Sequence, residues 1–168
     1  MKKVYSLIIL FLLTLSGFSQ GPQKAVGIRG GLSSGFEYRV FSGDLSSYKV
    51  LLSTRKRGLQ LTGLKEFHIP DVFDIGEPIS LVYGFGAHAG FETWKVEYYD
   101  LVYPYHITYF ERKTSAIAGL DALAALEYTI PQIPLVVGIE AKPYFNLFGR
   151  DFFQIQPFDF AFTVKYTF

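Results

Sequence analysis

"FDFAFTVKYTF", residues 158–168, carries an apolar side chain at every even position and a small or polar one at every odd position. Phe158, Phe160, Phe162, Val164, Tyr166 and Phe168 share one face; Asp159, Ala161, Thr163, Lys165 and Thr167 share the other. Successive side chains of a strand point to opposite faces, so this pattern specifies a β-strand with one greasy side. The question it poses is what covers that side.

The same period recurs upstream. In "AVGIRGGLSSGFEYRVF" (25–41), Val26, Ile28, Leu32, Phe36, Tyr38 and Val40 oppose Gly27, Arg29, Gly31, Ser33, Gly35, Glu37 and Arg39. "YKVLLSTR" (48–55) sets Tyr48, Val50 and Leu52 against Lys49, Leu51 and Ser53, and "RKRG" (55–58) makes a tight polar turn. "LQLTGLKEFH" (59–68) opposes Leu59, Leu61 and Phe67 to Gln60, Thr62, Glu66 and His68. In "LVYGFGAHAGF" (81–91) the minority face is Gly84, Gly86, His88 and Gly90. "AIAGLDALAALEYTI" (116–130) has helix-forming residues, but a helix would scatter Asp121 and Glu127 around an apolar cylinder, whereas a strand aligns them. "PQIP" (131–134) turns the chain, and "LVVGIEAKPYF" (135–145) sets Leu135, Val137, Ile139 and Phe145 against Gly138, Glu140, Lys142 and Tyr144.

A soluble sandwich buries its apolar faces and shows its polar ones to water. A transmembrane barrel reverses this, with apolar side chains toward lipid and polar ones in the lumen. Glycines interleaved with charges of both signs suit a narrow lumen better than a solvated surface. The fold class expected is therefore all-β, an antiparallel up-and-down transmembrane β-barrel; a periplasmic or secreted β-sandwich is the competing reading.

The remaining composition fits. "MKKVYSLIILFLLTLSGFSQ" (1–20) has two lysines, an apolar run and then small residues, the layout of a signal peptide over 1–19. The run is shorter than the roughly 20 residues a membrane-spanning helix needs. Removing Lys2 and Lys3 from 16 basic residues leaves 14 against 15 acidic ones, so no basic excess points to nucleic acid. There is no cysteine, hence no disulfide framework and no thiolate chemistry. Residues 20–168 suit one domain.

Seven strands are clear, near 25–40, 47–54, 58–68, 80–91, 115–130, 134–146 and 158–168. Bacterial barrels have an even number. If "RKRG" and "PQIP" are both periplasmic turns, an eighth strand must lie within 94–111, where Trp94, Val96 and Tyr98 alternate. Outer loops then fall near 41–46, 69–79, just before Thr114 and at 146–157. Dividing the first segment at Ser33–Ser34 is the alternative, at the cost of two short strands.

The stretches "GIRGGLSSGFEYRVF", "GLQLTGLKEFH", "YGFGAHAGF", "LEYTIPQIPL" and "AKPYFNLF", with the aromatic end "KYTF", resemble small outer-membrane β-barrels of the Bacteroidota type. The resemblance implies an outer-membrane location in a Gram-negative bacterium, with membrane lipid and the barrel-assembly machinery as partners. It also implies that Tyr166 and Phe168 form the C-terminal insertion signal. Thr163 and Ala161 depart from that signal's usual glycine and polar residue.

Parity assigns Arg29, Glu37, Arg39, Lys49, Glu66, His68, His88, Asp121, Glu127, Glu140, Lys142, Asp159 and Lys165 to the interior. Eight strands enclose a space that side chains just fill, and buried charges need partners. A plugged polar lumen is the expectation, in a monomeric, non-enzymatic protein with a structural or surface-interaction role. A narrow channel, or transport of small apolar solutes past Pro143, is the runner-up. For lipid chemistry the candidates would be His68, His88 or His106 with Asp71, Asp74 or Ser80. No G-x-S-x-G, H-E-x-x-H or phosphate-loop motif accompanies them. No cofactor and no metal site is expected.

Overall fold

The computed structural model describes residues 24–55, 58–74, 78–102, 105–149 and 152–168. The signal peptide expected over 1–19 lies outside them, as do the side chains of 99–102 and 105–107, His106 among them. Ten strands follow one another: β1 (Lys24–Gly31), β2 (Ser34–Phe41), β3 (Ser46–Arg55), β4 (Gly58–Pro70), β5 (Ile79–Val102), β6 (Tyr105–Thr129), β7 (Leu135–Ala141), β8 (Tyr144–Phe148), β9 (Gln154–Gln156) and β10 (Phe160–Thr167).

The strands pair antiparallel in the order β5-β4-β3-β2-β1-β10-β7-β6, and β5 pairs with β6 to close the ring. That is an up-and-down barrel of eight strands. β8 continues the line of β7 past Lys142 and Pro143, pairing with β6 and β9, so β8 and β9 extend two walls and do not widen the ring. Pro143 interrupts its strand without opening the wall: its carbonyl accepts from the Ala122 amide at 2.9 Å, and the Lys142 amide donates to the Asp159 carbonyl at 2.9 Å. Closure leaves the ring no free edge, which a sheet in hydrocarbon requires.

Two details of the expected topology are corrected. Residues 25–40 are two strands joined at Leu32–Ser33, not one. Residues 94–111 hold no separate strand; they lengthen β5 and β6 into one hairpin, paired from Ile79↔Tyr128 to Val102↔Tyr105. The ring count is unchanged, but directions invert between the two errors. The ends of the described chain, Lys24 and Phe168, and the strand ends flanking the β2–β3, β4–β5 and β6–β7 connections therefore lie at one end, here the terminal end. The β1–β2 and β3–β4 turns, the hairpin and the β8–β9 extension lie at the other, the far end. "RKRG" and "PQIP" thus sit at opposite ends, and the expected outer loops 41–46 and 69–79 belong to the terminal end.

Outward side chains are apolar along every wall, among them Ile28, Phe36, Val50, Leu61, Phe85, Leu120, Ile139 and Phe162, the last 71% exposed. Tyr38, Tyr48, Tyr83, Tyr128 and Tyr166 all point outward near the terminal end, at registers Tyr166↔Val26, Val26↔Tyr38, Val40↔Tyr48, Phe67↔Tyr83 and Ile79↔Tyr128. Phenylalanines replace them toward the far end: Phe91, Phe148, Phe152, Phe158 and Phe160. Lys65, outward among the tyrosines, lies 4.1 Å from the Tyr48 ring centroid and donates to the Tyr48 hydroxyl. A long stem laid on an aromatic ring with its ammonium at the polar edge is snorkelling geometry.

Candidate functional site

The inside of the ring is where this chain places its charge. Because each strand's inner face is fixed by parity, one side chain from nearly every strand converges on the axis. Buried there are Arg29 (β1), Glu37 and Arg39 (β2), Lys49 (β3), Glu66 (β4), His88 (β5), Asp121 and Glu127 (β6), Glu140 (β7) and Lys165 (β10), with Lys142 just after β7 and Asp159 just before β10.

Their contacts run as one chain from the terminal end to the far end. Arg39 grips Glu127 through both terminal nitrogens at 2.8 Å and Glu66 through Nε at 2.7 Å. Lys165 bridges Glu127 at 2.8 Å and Glu37 at 3.1 Å. Lys49 stands at the centre, 2.7 Å from Glu140, 3.0 Å from Glu66 and 3.4 Å from Glu37. Arg29 ties Glu140 at 2.9 Å to Asp159 at 3.4 Å, and also bonds the Ser33 carbonyl and hydroxyl. Lys142 then links Asp159 at 3.9 Å to Asp121 at 2.9 Å. Asp121 holds His88 Nδ1 at 2.7 Å, and Asn146 Oδ1 lies 2.8 Å from His88 Nε2.

Each ion has at least one partner of opposite sign, and most have two or three. This is the condition under which buried charges are tolerated, since one stranded ion costs several kcal/mol (about 3–5 on losing its partner). Across the lumen a satellite of Leu64, Val82, Leu123 and Ala125 fills the wall of β4, β5 and β6. Lys49, Glu66, Glu140 and Lys142 expose essentially no side-chain surface. At their level the lumen is filled with side chains.

Glycine makes the far part of this arrangement possible. A Cβ at Gly119 would collide with the Phe145 carbonyl oxygen and come within 2.7 Å of His88 Cε1. The register of β6 against β8 also shifts between Ala118 and Gly119. Only a side chain of zero size lets the His88 ring lie against that wall.

The histidine candidates come apart on inspection. His88 has both ring nitrogens engaged and packs edge-on against Tyr144. His68 meets a residue the sequence reading did not single out, Ser47, whose hydroxyl lies 2.8 Å from His68 Nε2 and 2.8 Å from Glu66. Glu66 can only accept, so the Ser47 proton points to the carboxylate and the serine accepts from the imidazole. That is the reverse of the polarity by which a histidine activates a serine. Among the described residues, neither Asp74 nor Ser80 makes a side-chain hydrogen bond to His68 or His88. Among the described residues no group of three or more His, Cys, Asp or Glu side chains could hold a metal ion.

Sequence reading also passed over Ser33, Ser47, Arg55, Gln60, Thr62 and Asn146, all on inner faces. Their parity was available; as neutral residues, or a residue within a turn motif, they carried no signal of burial.

No family model matches this chain, and no curated protein does. Among solved structures it is similar to the N-terminal β-barrel domain of Pseudomonas aeruginosa OprF, with a TM-score of 0.56 and 10% sequence identity, covering 89% of this chain and 100% of that one. At that identity the likeness speaks to fold, and the fold is the antiparallel β-barrel.

Proposed function

We propose that this chain is a non-enzymatic integral outer-membrane barrel of a Gram-negative bacterium, with a plugged polar lumen and a surface-interaction or structural role. The observation that carries this is the inversion of polarity across one closed sheet. A band of Phe, Leu, Ile and Val faces outward while the ions are inside. A continuous apolar surface of this extent is unstable in water and is the normal solvent contact of a barrel in lipid. The tyrosines at one rim match an interfacial belt. The sequence resemblance to Bacteroidota-type barrels agrees with that reading.

The far end would face the exterior, since long excursions belong to the outer side and the β5–β6 ribbon, the longest, rises there. Beyond Phe91, β5 has no β4 partner, and beyond Ala118, β6 has no β8 partner. Among the described residues, the ribbon from Glu92↔Ser115 to Val102↔Tyr105 pairs with no third strand, and it reaches roughly 35 Å at about 3.3 Å per residue. It is held by stacked Tyr98 and Tyr109, 5.5 Å apart, by Lys113 bonded to the Tyr98 hydroxyl, and by Thr93 against Thr114. Surface loops of this kind are where a rigid scaffold carries recognition.

Planar-bilayer recording tests the plugged lumen: a flat current trace is expected, and steady single-channel steps would refute it in favour of a narrow channel. Acyl release from phospholipid that vanishes in His88→Ala or His106→Ala would refute the non-enzymatic reading.

A further inference from the structure

The outward apolar wall does not end at one height. On β1 it runs from Val26 to Leu32, and the polar turn at Ser33–Ser34 follows at once. The Leu32 amide donates to the Phe160 carbonyl at 3.1 Å, so the β1–β2 hairpin stops level with the start of β10. Beside it the wall continues. Phe160 pairs with Ala141, and beyond that pair β8, β9 and their flanks carry Phe145, Phe148, Phe152, Phe153, Ile155 and Phe158 outward. Their rings form a layer: Phe145 stacks on Phe153 at 5.8 Å, Phe148 meets Phe152 edge-on at 6.1 Å, and Phe158 stacks on Phe160 at 6.1 Å.

The height of this ledge is set by β6. Ala124 pairs with Ala141 and Ala118 with Phe148, six residues apart on one strand. At about 3.3 Å per residue and a tilt of about 40°, that is about 20 Å along the strand and about 15 Å along the barrel axis. Val26 and Leu135 both pair with Tyr166, so the two walls start level. By the same arithmetic the β1 wall rises about 15 Å from Val26 to Leu32, and the β7–β8 wall about 30 Å from Leu135 to Phe148. A barrel's apolar band is about 25 Å tall and a bilayer's hydrocarbon about 30 Å thick. The β7–β8 side matches that thickness; the β1–β2 side is about half as tall. Phe152 and Phe153 are 71% and 68% exposed, as bare as Phe162 at mid-wall, and none of the six ledge side chains carries a polar atom. Such a surface needs the same solvent as the wall it continues. The turn needs the opposite. Ser34 is exposed, its hydroxyl engaged only by Gly31 of the same turn, and backbone outside a ladder is not tolerated in hydrocarbon.

We propose that the barrel carries a stepped lipid collar at its far end, an inference that rests on the lipid-facing reading of the outer wall. The β8–β9 ledge is sunk among the acyl chains of the far-end leaflet. Along the adjoining β1–β2 hairpin the edge of the hydrocarbon drops to the Ser33–Ser34 turn, about 15 Å lower on the barrel. Bilayers meet such a mismatch by local thinning or by tilt of the inserted protein. Either way the partner of the ledge is lipid, and the leaflet beside β1 is the place where the barrel deforms its membrane.

The test places single tryptophans at the two levels, Ile155→Trp on the ledge and Ser34→Trp at the turn, each with Trp94→Phe. The barrels are folded in phospholipid nanodiscs, where aqueous iodide reaches both faces, and Phe162→Trp in the same background is the hydrocarbon reference. Ile155→Trp should be as protected from iodide as the reference, and Ser34→Trp quenched at least fivefold more steeply, although it lies nearer the terminal end. Mobility on an unheated gel reports that each variant has folded. Phe153→Trp, and Thr54→Trp at the position paired with Ser34, repeat the two measurements should either fail to fold. Quenching of the ledge probe as steep as that of the turn probe puts the ledge in water and overturns the proposal. Protection of the turn probe equal to the reference puts a flat boundary above the turn and overturns it too. Free access of iodide to Phe162→Trp refutes the lipid-facing wall itself, a failure distinct from those two.

Discussion

Asp121→Asn is the substitution that probes the lumen hardest. Most ions in the network keep a strong partner when one neighbour is lost: Lys49 without Glu140 still has Glu66 at 3.0 Å, and Arg39 without Glu127 still has Glu66 at 2.7 Å. Lys142 does not. Its ammonium is fully buried, and apart from Asp121 at 2.9 Å its ion-pair partner is Asp159 at 3.9 Å. With an effective dielectric constant of 20, a unit pair at 2.9 Å is worth about 6 kcal/mol and one at 3.9 Å about 4 kcal/mol. The lost attraction is thus the larger of the two that offset desolvation of Lys142. Asparagine preserves shape and one acceptor, so we expect a loss of about 3–5 kcal/mol, the range for breaking a buried pair. The assay is urea unfolding of the barrel in lipid vesicles, scored by the shifted mobility of the folded band on an unheated gel. Adding Lys142→Met should recover most of the loss, because two absent charges strand nothing. A loss below about 1 kcal/mol, the scale of exposed pairs, would mean that water screens these ions and the lumen is not filled.

Other expectations are independent of that one. Gly119→Val forces a Cβ against the Phe145 carbonyl and the His88 ring and should destabilise the barrel by about 1–3 kcal/mol, as overpacking does, in the same urea assay. Tyr166→Ser with Phe168→Ser should lower the amount assembled in cells while leaving unassisted folding into synthetic vesicles nearly unchanged; an equal loss in both would assign these residues to stability alone. Replacing 94–113 by Asn-Gly should leave the unfolding midpoint within about 0.5 kcal/mol of the parent, as for surface changes, because among the described residues no ladder joins the ribbon to a third strand beyond Phe91 and Ala118. A larger shift would show that the ribbon packs on the barrel.

The alternation that reveals each strand also explains where the sequence misleads. Partners in the β1–β2 hairpin pair as Val26↔Tyr38 and Arg29↔Gly35, so outward residues carry even numbers on both sides of the turn. Parity runs straight through Leu32, and no Pro or Asn-Gly marks a turn there; one long strand is what the period alone reports. In β5–β6 the pairing is Tyr83↔Ala124, so outward residues are odd on one strand and even on the other. Trp94, Val96 and Tyr98 continue the inner parity of His88, which identifies them as β5 prolonged; the assumption that both short turns share one side concealed this. Inner placement of the ions follows from parity, but their pairing does not. Arg29 on β1 and Glu140 on β7 meet over the intervening β10 through barrel closure and stagger, which no local pattern encodes. The neutral inner-face residues were less legible still: Ser53, Gln60 and Thr62 share the polar parity, but a neutral side chain does not by itself signal burial.

The central claim, that hydrocarbon solvates the outer wall, is tested most directly by one fluorophore. Phe162→Trp in a Trp94→Phe background places the sole tryptophan outward at mid-wall on β10, where Phe162 is 71% exposed to the surroundings. In vesicles of lipids brominated along their acyl chains, blue-shifted emission that is strongly quenched is the predicted result. Emission typical of water, unquenched by those lipids in a folded barrel, would contradict it.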